Sequence, residues 1–305
     1  MTTTTAPPAT GAAVPPPAPA STRAAAVRSL LRNRLAVAAL AFLLLVLVCA
    51  VFAPLIAPAD PNAQDLLARL KPPAWQHGGS SAHLLGTDQL GRDLLSRVVY
   101  GTRVSLMVGA GAALLAGVIG TLAGLAAGYF GGWTDRFLMR LADVQLAFPA
   151  ILLALAVVGF VGSGLWYVIL VLGITGWVSY ARVVRSEVLS LRTRDFVTEA
   201  HAIGVRHPAI MRRHLLPNVM APLATIGTLH VAAAIVAEAS LSYLGLGVPK
   251  ETVTWGAMLA DGQLYLGTSW WVAVFPGIAL MLTSLAVNIT GDALRDVADP
   301  KAYRR

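Results

Sequence analysis

Charge is what this chain has least of. Only 12% of its 305 residues are charged, 56% are apolar, and the mean hydropathy is +0.68. Soluble domains carry about a quarter charged residues, so this composition belongs in lipid. Cysteine is nearly absent too. The single Cys49 excludes an intrachain disulfide and a CxxC metal site. The preceding Val46-Leu47-Val48 lacks the small residue of a lipoprotein cleavage site, so Cys49 reads as core-lining or lipid-facing.

Lysine is scarce as well. Lys71, Lys250 and Lys301 follow Leu70, Pro249 and Pro300, so no Gly-Lys-Ser/Thr exists to close a phosphate-cradling P-loop. The six histidines form no HExxH, and no GxSxG elbow is present. An intramembrane enzyme has no support; a non-catalytic chain without cofactor or metal of its own is expected. The net charge of +8 could suggest nucleic acid. The arginines, however, sit in short clusters at the ends of apolar runs, which is how charge orients a membrane protein. No nucleic-acid partner is expected, and membrane lipid is.

Residues 1–22 hold no charge and six prolines, and read as a disordered tail. A basic segment, 23–34, precedes an uncharged run over 35–57, long enough for a first span. It begins too far into the chain to be a signal-peptide core. An outer loop with an interfacial helix is expected over 58–103, then a five-helix core over 104–294 and a C-terminal tail over 295–305. The spans in that core are drawn at Val104–Phe130, Gln145–Gly162, Gly164–Ala181, Val219–Gly247 and Thr268–Gly291. The third and fourth are short, requiring a tight turn or an extension of the third back towards Arg140. Seventeen of the 23 Lys and Arg fall on one side of this six-span scheme, which places both termini in the cytoplasm.

Gly120, Gly124 and Gly128 recur at four-residue spacing in the second span, after Gly109, Gly111 and Gly117. Such a bare helix face permits close helix–helix approach. Within the spans the only charged side chain is Glu238, eight residues from His230 and roughly on the same face. The two could form a proton relay. Equally, Glu238 could snorkel or bond a neighbouring helix, and His230 could be a packed donor.

The polar excursion over 190–218 holds a different pattern. Phe196, Val197, Ala200 and Ile203 fall on one face of a short helix, opposite Thr198, Glu199 and His201. Gly204 is placed to end it. Pro208 suits the start of a second short helix, running to Pro217. Periodicity alone allows an interfacial anchor or a docking knob.

At these residues the chain resembles the permeases of ATP-binding-cassette importers. Their cytoplasmic EAA loop has Glu-Ala-Ala, then Gly, then Leu-Pro; aligned on Gly204 and Leu216-Pro217-Asn218, it falls on Thr198-Glu199-Ala200, with the acidic residue displaced by one. Three further segments are similar to dipeptide, oligopeptide and nickel permeases. One runs from His83 to Arg97 and contains Gly86, Thr87, Asp88, Gly91, Arg92 and Asp93. The second is Glu238–Gly247 with Trp255-Gly256, and the third is Gly291-Asp292-Ala293-Leu294-Arg295-Asp296.

The resemblance covers residues 27–303 and points to the permease type with a short first outer loop. It implies an all-α type I importer fold of six transmembrane helices, with a coupling helix between spans four and five. It also implies a second homologous permease, two cytoplasmic ATPases carrying ATP and Mg, and an extracytoplasmic binding protein, in a bacterial inner membrane. Phe196, Val197, Thr198, Glu199, Ala200, Ile203, Gly204 and Pro217 would make the ATPase contact. Thr87 or Asp88 is expected to cap the helix bearing Arg92 and Arg97, and Asp292 and Arg295 to fix the end of span six. Peptides are the expected cargo, with nickel or another small solute as alternatives. A proton-coupled carrier using His230 and Glu238, or a structural scaffold, are the readings of other classes. Substrate-contacting residues are not legible.

Overall fold

Asn33 opens the first helix: its Oδ1 accepts from the backbone N–H groups of Leu35 and Ala36, so α1 runs Arg34–Val51. The structure, a computed structural model, describes residues 33–249 and 251–298. The expected tail, most of the basic segment and the last residues lie outside these. After a single helical turn at Ala53–Ile56, the other α-helices are α2 (Leu94–Phe130), α3 (Gly132–Leu146), α4 (Ala150–Val161), α5 (Leu165–Leu191), α6 (Asp195–Ala202), α7 (His207–Tyr243), α8 (Trp255–Gly262) and α9 (Trp271–Ala298). Five of them are long and apolar enough to cross a membrane, and the bent pair α3 and α4 makes six if the two form one span.

Several boundaries differ from those drawn from hydropathy. The second span starts at Leu94 rather than Val104, so the expected interfacial helix is simply its first turns. At 37 residues α2 is about 55 Å long, well beyond a hydrocarbon core of about 30 Å. The third span does not begin at Gln145. Phe148-Pro149 breaks the helix there, because a residue before proline is disfavoured in the α region, and α3 meets α4 at 88°. The fourth span continues ten residues past Ala181 to Leu191, its polar end held by α3. Arg185 makes a two-pronged ion pair with Asp135, and Arg182 bonds Asp143 at 2.7 Å.

The second short helix is not separate. It forms the first turns of α7, which passes Pro217 without stopping. Proline offers no N–H to the carbonyl four residues back, and a π turn over Met211–Leu215 widens the helix just before it. The Asn218 side chain then donates to the His214 carbonyl at 2.6 Å.

The core is built on the glycine face. Idealised Cβ atoms on Gly120 and Gly124 would lie 2.4 Å from the Trp177 carbonyl oxygen and 2.6 Å from that of Ala181. One on Gly128 would meet Val188, so α2 lies against the backbone of α5 along this stripe. Gly109 plays the same part against Ile235 of α7, and Gly291 lets α9 approach Thr228.

Candidate functional site

Two clusters stand out, at opposite ends of α2. The one at the Phe130 end, on the side expected from the charge count to be inner, centres on α6. Its start is favoured by Asp195 in the first turn, near the positive end of the helix dipole. It ends where Gly204 adopts φ +78. There Val205 N–H donates to the Ala200 carbonyl at 3.0 Å and Gly204 N–H to that of His201 at 3.1 Å, the paired bonds of a Schellman stop. Gly204 therefore does what its place in the sequence predicts.

Val197 and Ala200 are the buried residues of α6. They pack on Leu125 of α2, Val184 and Val188 of α5, and Ile210, Leu215 and Val219 of α7. The expected four-residue face is corrected on two counts. The buried direction falls between Val197 and Ala200, which leaves Phe196 on the flank, 38% exposed. Ile203 lies past the last helical residue and is 80% exposed. Thr198, Glu199, His201 and Gly204 are exposed, as is Pro217 on α7. The knob thus presents a bare isoleucine among polar side chains, on a seat spanning three helices.

Sequence reasoning missed what surrounds the seat. Tyr129, near the end of α2, bonds His207 Nδ1 through its hydroxyl at 2.8 Å. The His207 ring lies 5.0 Å from that of His201, and Arg192 donates to the Gly128 carbonyl at 3.1 Å. The end of α2, the end of α5, the knob and the start of α7 are joined here. Tyr129 had no periodic signal to mark it; it follows the glycine stripe directly.

The outer cluster collects the residues from His83 to Arg97. Asp93, not Thr87 or Asp88, caps α2, accepting from both the N–H and the hydroxyl of Ser96 at 2.8 Å. Arg92 precedes the helix. Buried Asp88 accepts from Arg92 Nε at 2.6 Å and lies 3.5 Å from Arg97 Nε; Arg92 also reaches Asp261 of α8 at 3.4 Å. The Thr87 hydroxyl donates to the Ala68 carbonyl, and the Thr87 carbonyl accepts from Trp271 of α9 at 3.2 Å. Gly86 and Gly91 hold positive φ, and a Cβ on either would strike the backbone of Lys71 or Asp65. These residues weld the outer loop to α2, α8 and α9. Asp292 and Arg295 are exposed, and no contact that would fix the end of α9 is found for them among the described residues.

Glu238 does not snorkel. It is fully buried on α7, where one carboxylate oxygen accepts from the Ser242 hydroxyl at 2.7 Å and the other has no described partner. His230 packs 4.7 Å from the Tyr180 ring. No group of three or more His, Cys, Asp or Glu able to hold a metal occurs among the described residues.

Residues 120–304 match the family described as the binding-protein-dependent transport system inner membrane component. The chain belongs to that family. Residues 21–73 of this permease also match the N-terminal transmembrane domain of oligopeptide transport permease C. It is 42% identical over 274 residues to the di/tripeptide transport system permease DppC of Pseudomonas aeruginosa, covering 90% of each chain. It is 41% identical to the glutathione transport system permease GsiD of Pectobacterium atrosepticum, covering 90% of this permease and 89% of that one. In fold it is similar to an inward-facing MetNI methionine ABC transporter, with a TM-score of 0.55 at 21% identity, over 67% of this permease and 97% of that chain. The all-α importer-permease fold expected from the sequence is thus borne out, in a multi-pass inner-membrane protein.

Proposed function

We propose that this permease forms one half of the pore of an ATP-driven importer of di- and oligopeptides. The observation that carries the coupling role is the seating of α6. Val197 and Ala200 anchor it where α2, α5 and α7 meet, while Ile203, Glu199 and Thr198 face outward for a partner. In this reading two cytoplasmic ATPase subunits, carrying ATP and Mg, grip that outward face. A second permease of the family completes the pore, and an extracytoplasmic binding protein delivers cargo at the opposite surface. Hydrolysis takes place on the ATPases, and this chain has no catalytic role. The charge distribution supports cytoplasmic termini.

Peptide cargo is supported by the di/tripeptide and glutathione permeases among its relatives. Coupling follows from one element biased from two sides: ATPase closure displaces α6, and the seat passes that displacement to three helices at once. The test is dipeptide uptake by the complete transporter in proteoliposomes. Uptake is expected only with ATP and the binding protein. Uptake driven by a proton gradient without ATP would overturn the reading. Retention of ATP-driven transport with nickel, but not dipeptide, as cargo would overturn the peptide assignment alone.

A further inference from the structure

Outside both clusters, a cavity of about 710 Å³ opens where α1 ends. It lies between Pro54 and Asn62 on one side, Tyr100 to Met107 of α2 on another, and Glu251 to Val253 on the third. Arg103 defines its chemistry. Helix α1 ends with unmatched carbonyls, and Arg103 caps them, donating from Nε to Ala50 and from Nη2 to Val51. Its Nη1 makes no hydrogen bond to a described residue, and its guanidinium lies 5.6 Å from the centre of the Tyr100 ring. Asp60 and Glu251 also line the cavity, and neither forms an ion pair among the described residues. Asp60 Oδ1 accepts from Asn62 N–H, and the Asn62 amide donates to the Glu251 carbonyl, which ties the two acid-bearing segments together.

Depth decides what such a cavity would hold. Arg103 is 26 residues along α2 from Tyr129, about 39 Å, which exceeds a hydrocarbon core of about 30 Å. With Tyr129 at the inner surface, Arg103 lies at headgroup level on the outer one. One turn further in, Met107 lines the same cavity and is 47% exposed. The cavity therefore runs from a charged rim down onto an apolar helix face. A soluble zwitterion gains nothing from that continuation, whereas an acyl chain does.

We propose that this cavity is a site for a phospholipid whose headgroup carries both a phosphate and a primary ammonium, as phosphatidylethanolamine does. The phosphate meets the free edge of Arg103. The ammonium donates to Asp60 and Glu251. With two carboxylates and one guanidinium lining the same cavity, a purely anionic headgroup such as phosphatidylglycerol is repelled. A quaternary choline has no N–H to offer.

The test uses the full chain with its partner subunits, in nanodiscs of equal dioleoyl phosphatidylethanolamine and phosphatidylglycerol. Lipid retained through detergent washing is measured by mass spectrometry. The wild type is expected to retain phosphatidylethanolamine at least fivefold over phosphatidylglycerol, and Arg103→Gln to lose this preference. Because Arg103 also caps α1, the double variant Asp60→Asn/Glu251→Asn provides a second arm that leaves those carbonyl contacts intact. It is expected to bring the ratio to about one. An unchanged ratio in the double variant overturns the proposal. So does displacement of the retained lipid by millimolar dialanine, which would assign the cavity to a soluble zwitterion.

Discussion

Gly204 has open space where a Cβ would stand, so any substitution there is felt through the backbone alone. Gly204→Ala keeps the N–H and costs about 1–2 kcal/mol for the left-handed conformation. Gly204→Pro cannot reach φ +78 and loses the N–H that bonds His201. In the proline variant, dipeptide transported per ATP hydrolysed is expected to fall at least tenfold, with normal amounts of protein in the membrane. An unchanged ratio would remove α6 from the coupling path. Ile203 offers the complementary experiment. At 80% exposure its side chain buries little against the rest of the chain, so Ile203→Asp should leave thermal unfolding in detergent unaltered. Capture of the ATPase subunits on the purified permease should weaken about tenfold, and equal capture would argue against an apolar anchor at that point.

At the level of helices, the glycine stripe makes the sharpest claim. Gly124→Val places a branched side chain against the Ala181 carbonyl and Val184, neither of which is a flexible chain end. Overpacking of this kind costs about 1–3 kcal/mol. A fall in Tm of about 5 °C is expected from such a loss. Gly159→Ala, with nothing within 4 Å, should leave Tm where it is. This stripe was readable because its period and its lack of side chains are local properties. Helix ends were less so. Hydropathy marks the part of a helix that lipid can touch, and α2 extends beyond it because Ser96 and Arg97 are buried by the outer loop rather than by lipid. Two prolines make the same point with opposite outcomes. Pro149 breaks a helix, whereas Pro217 is absorbed by a widened turn that the Asn218 amide helps to satisfy. The residues that follow them differ: the Asn218 amide donates to the His214 carbonyl, whereas Ala150 after Pro149 carries no side-chain donor.

For the molecule as a whole, the outer cluster binds distant parts of the chain into one body. Asp88→Asn leaves buried Arg97 with a neutral partner and Arg92 with Asp261 alone, at 3.4 Å. Breaking a buried pair in this way costs about 3–5 kcal/mol. Thermal unfolding should shift accordingly, while a Gln substitution at exposed Glu199 should not move it. Arg92 and Arg97 also show what a charge count misses. Both argue against the assigned topology when counted as free cations, yet both are held by carboxylates, one of them the sequence-distant Asp261. The knob, by contrast, was largely visible in advance, since Val197, Ala200 and Gly204 sit within eight residues of one another.

The same long-range pairing bears on how the protein is made. Asp261 lies 169 residues beyond Arg92, and Trp271 lies 184 beyond Thr87. At ribosomal speeds of about 5–20 residues per second, Trp271 is synthesised on the order of ten to forty seconds after the loop it must pin. During that interval the loop stands with its clasp missing. A protease able to reach it would meet an open loop on every nascent copy, and a closed one only on copies that have received their final span.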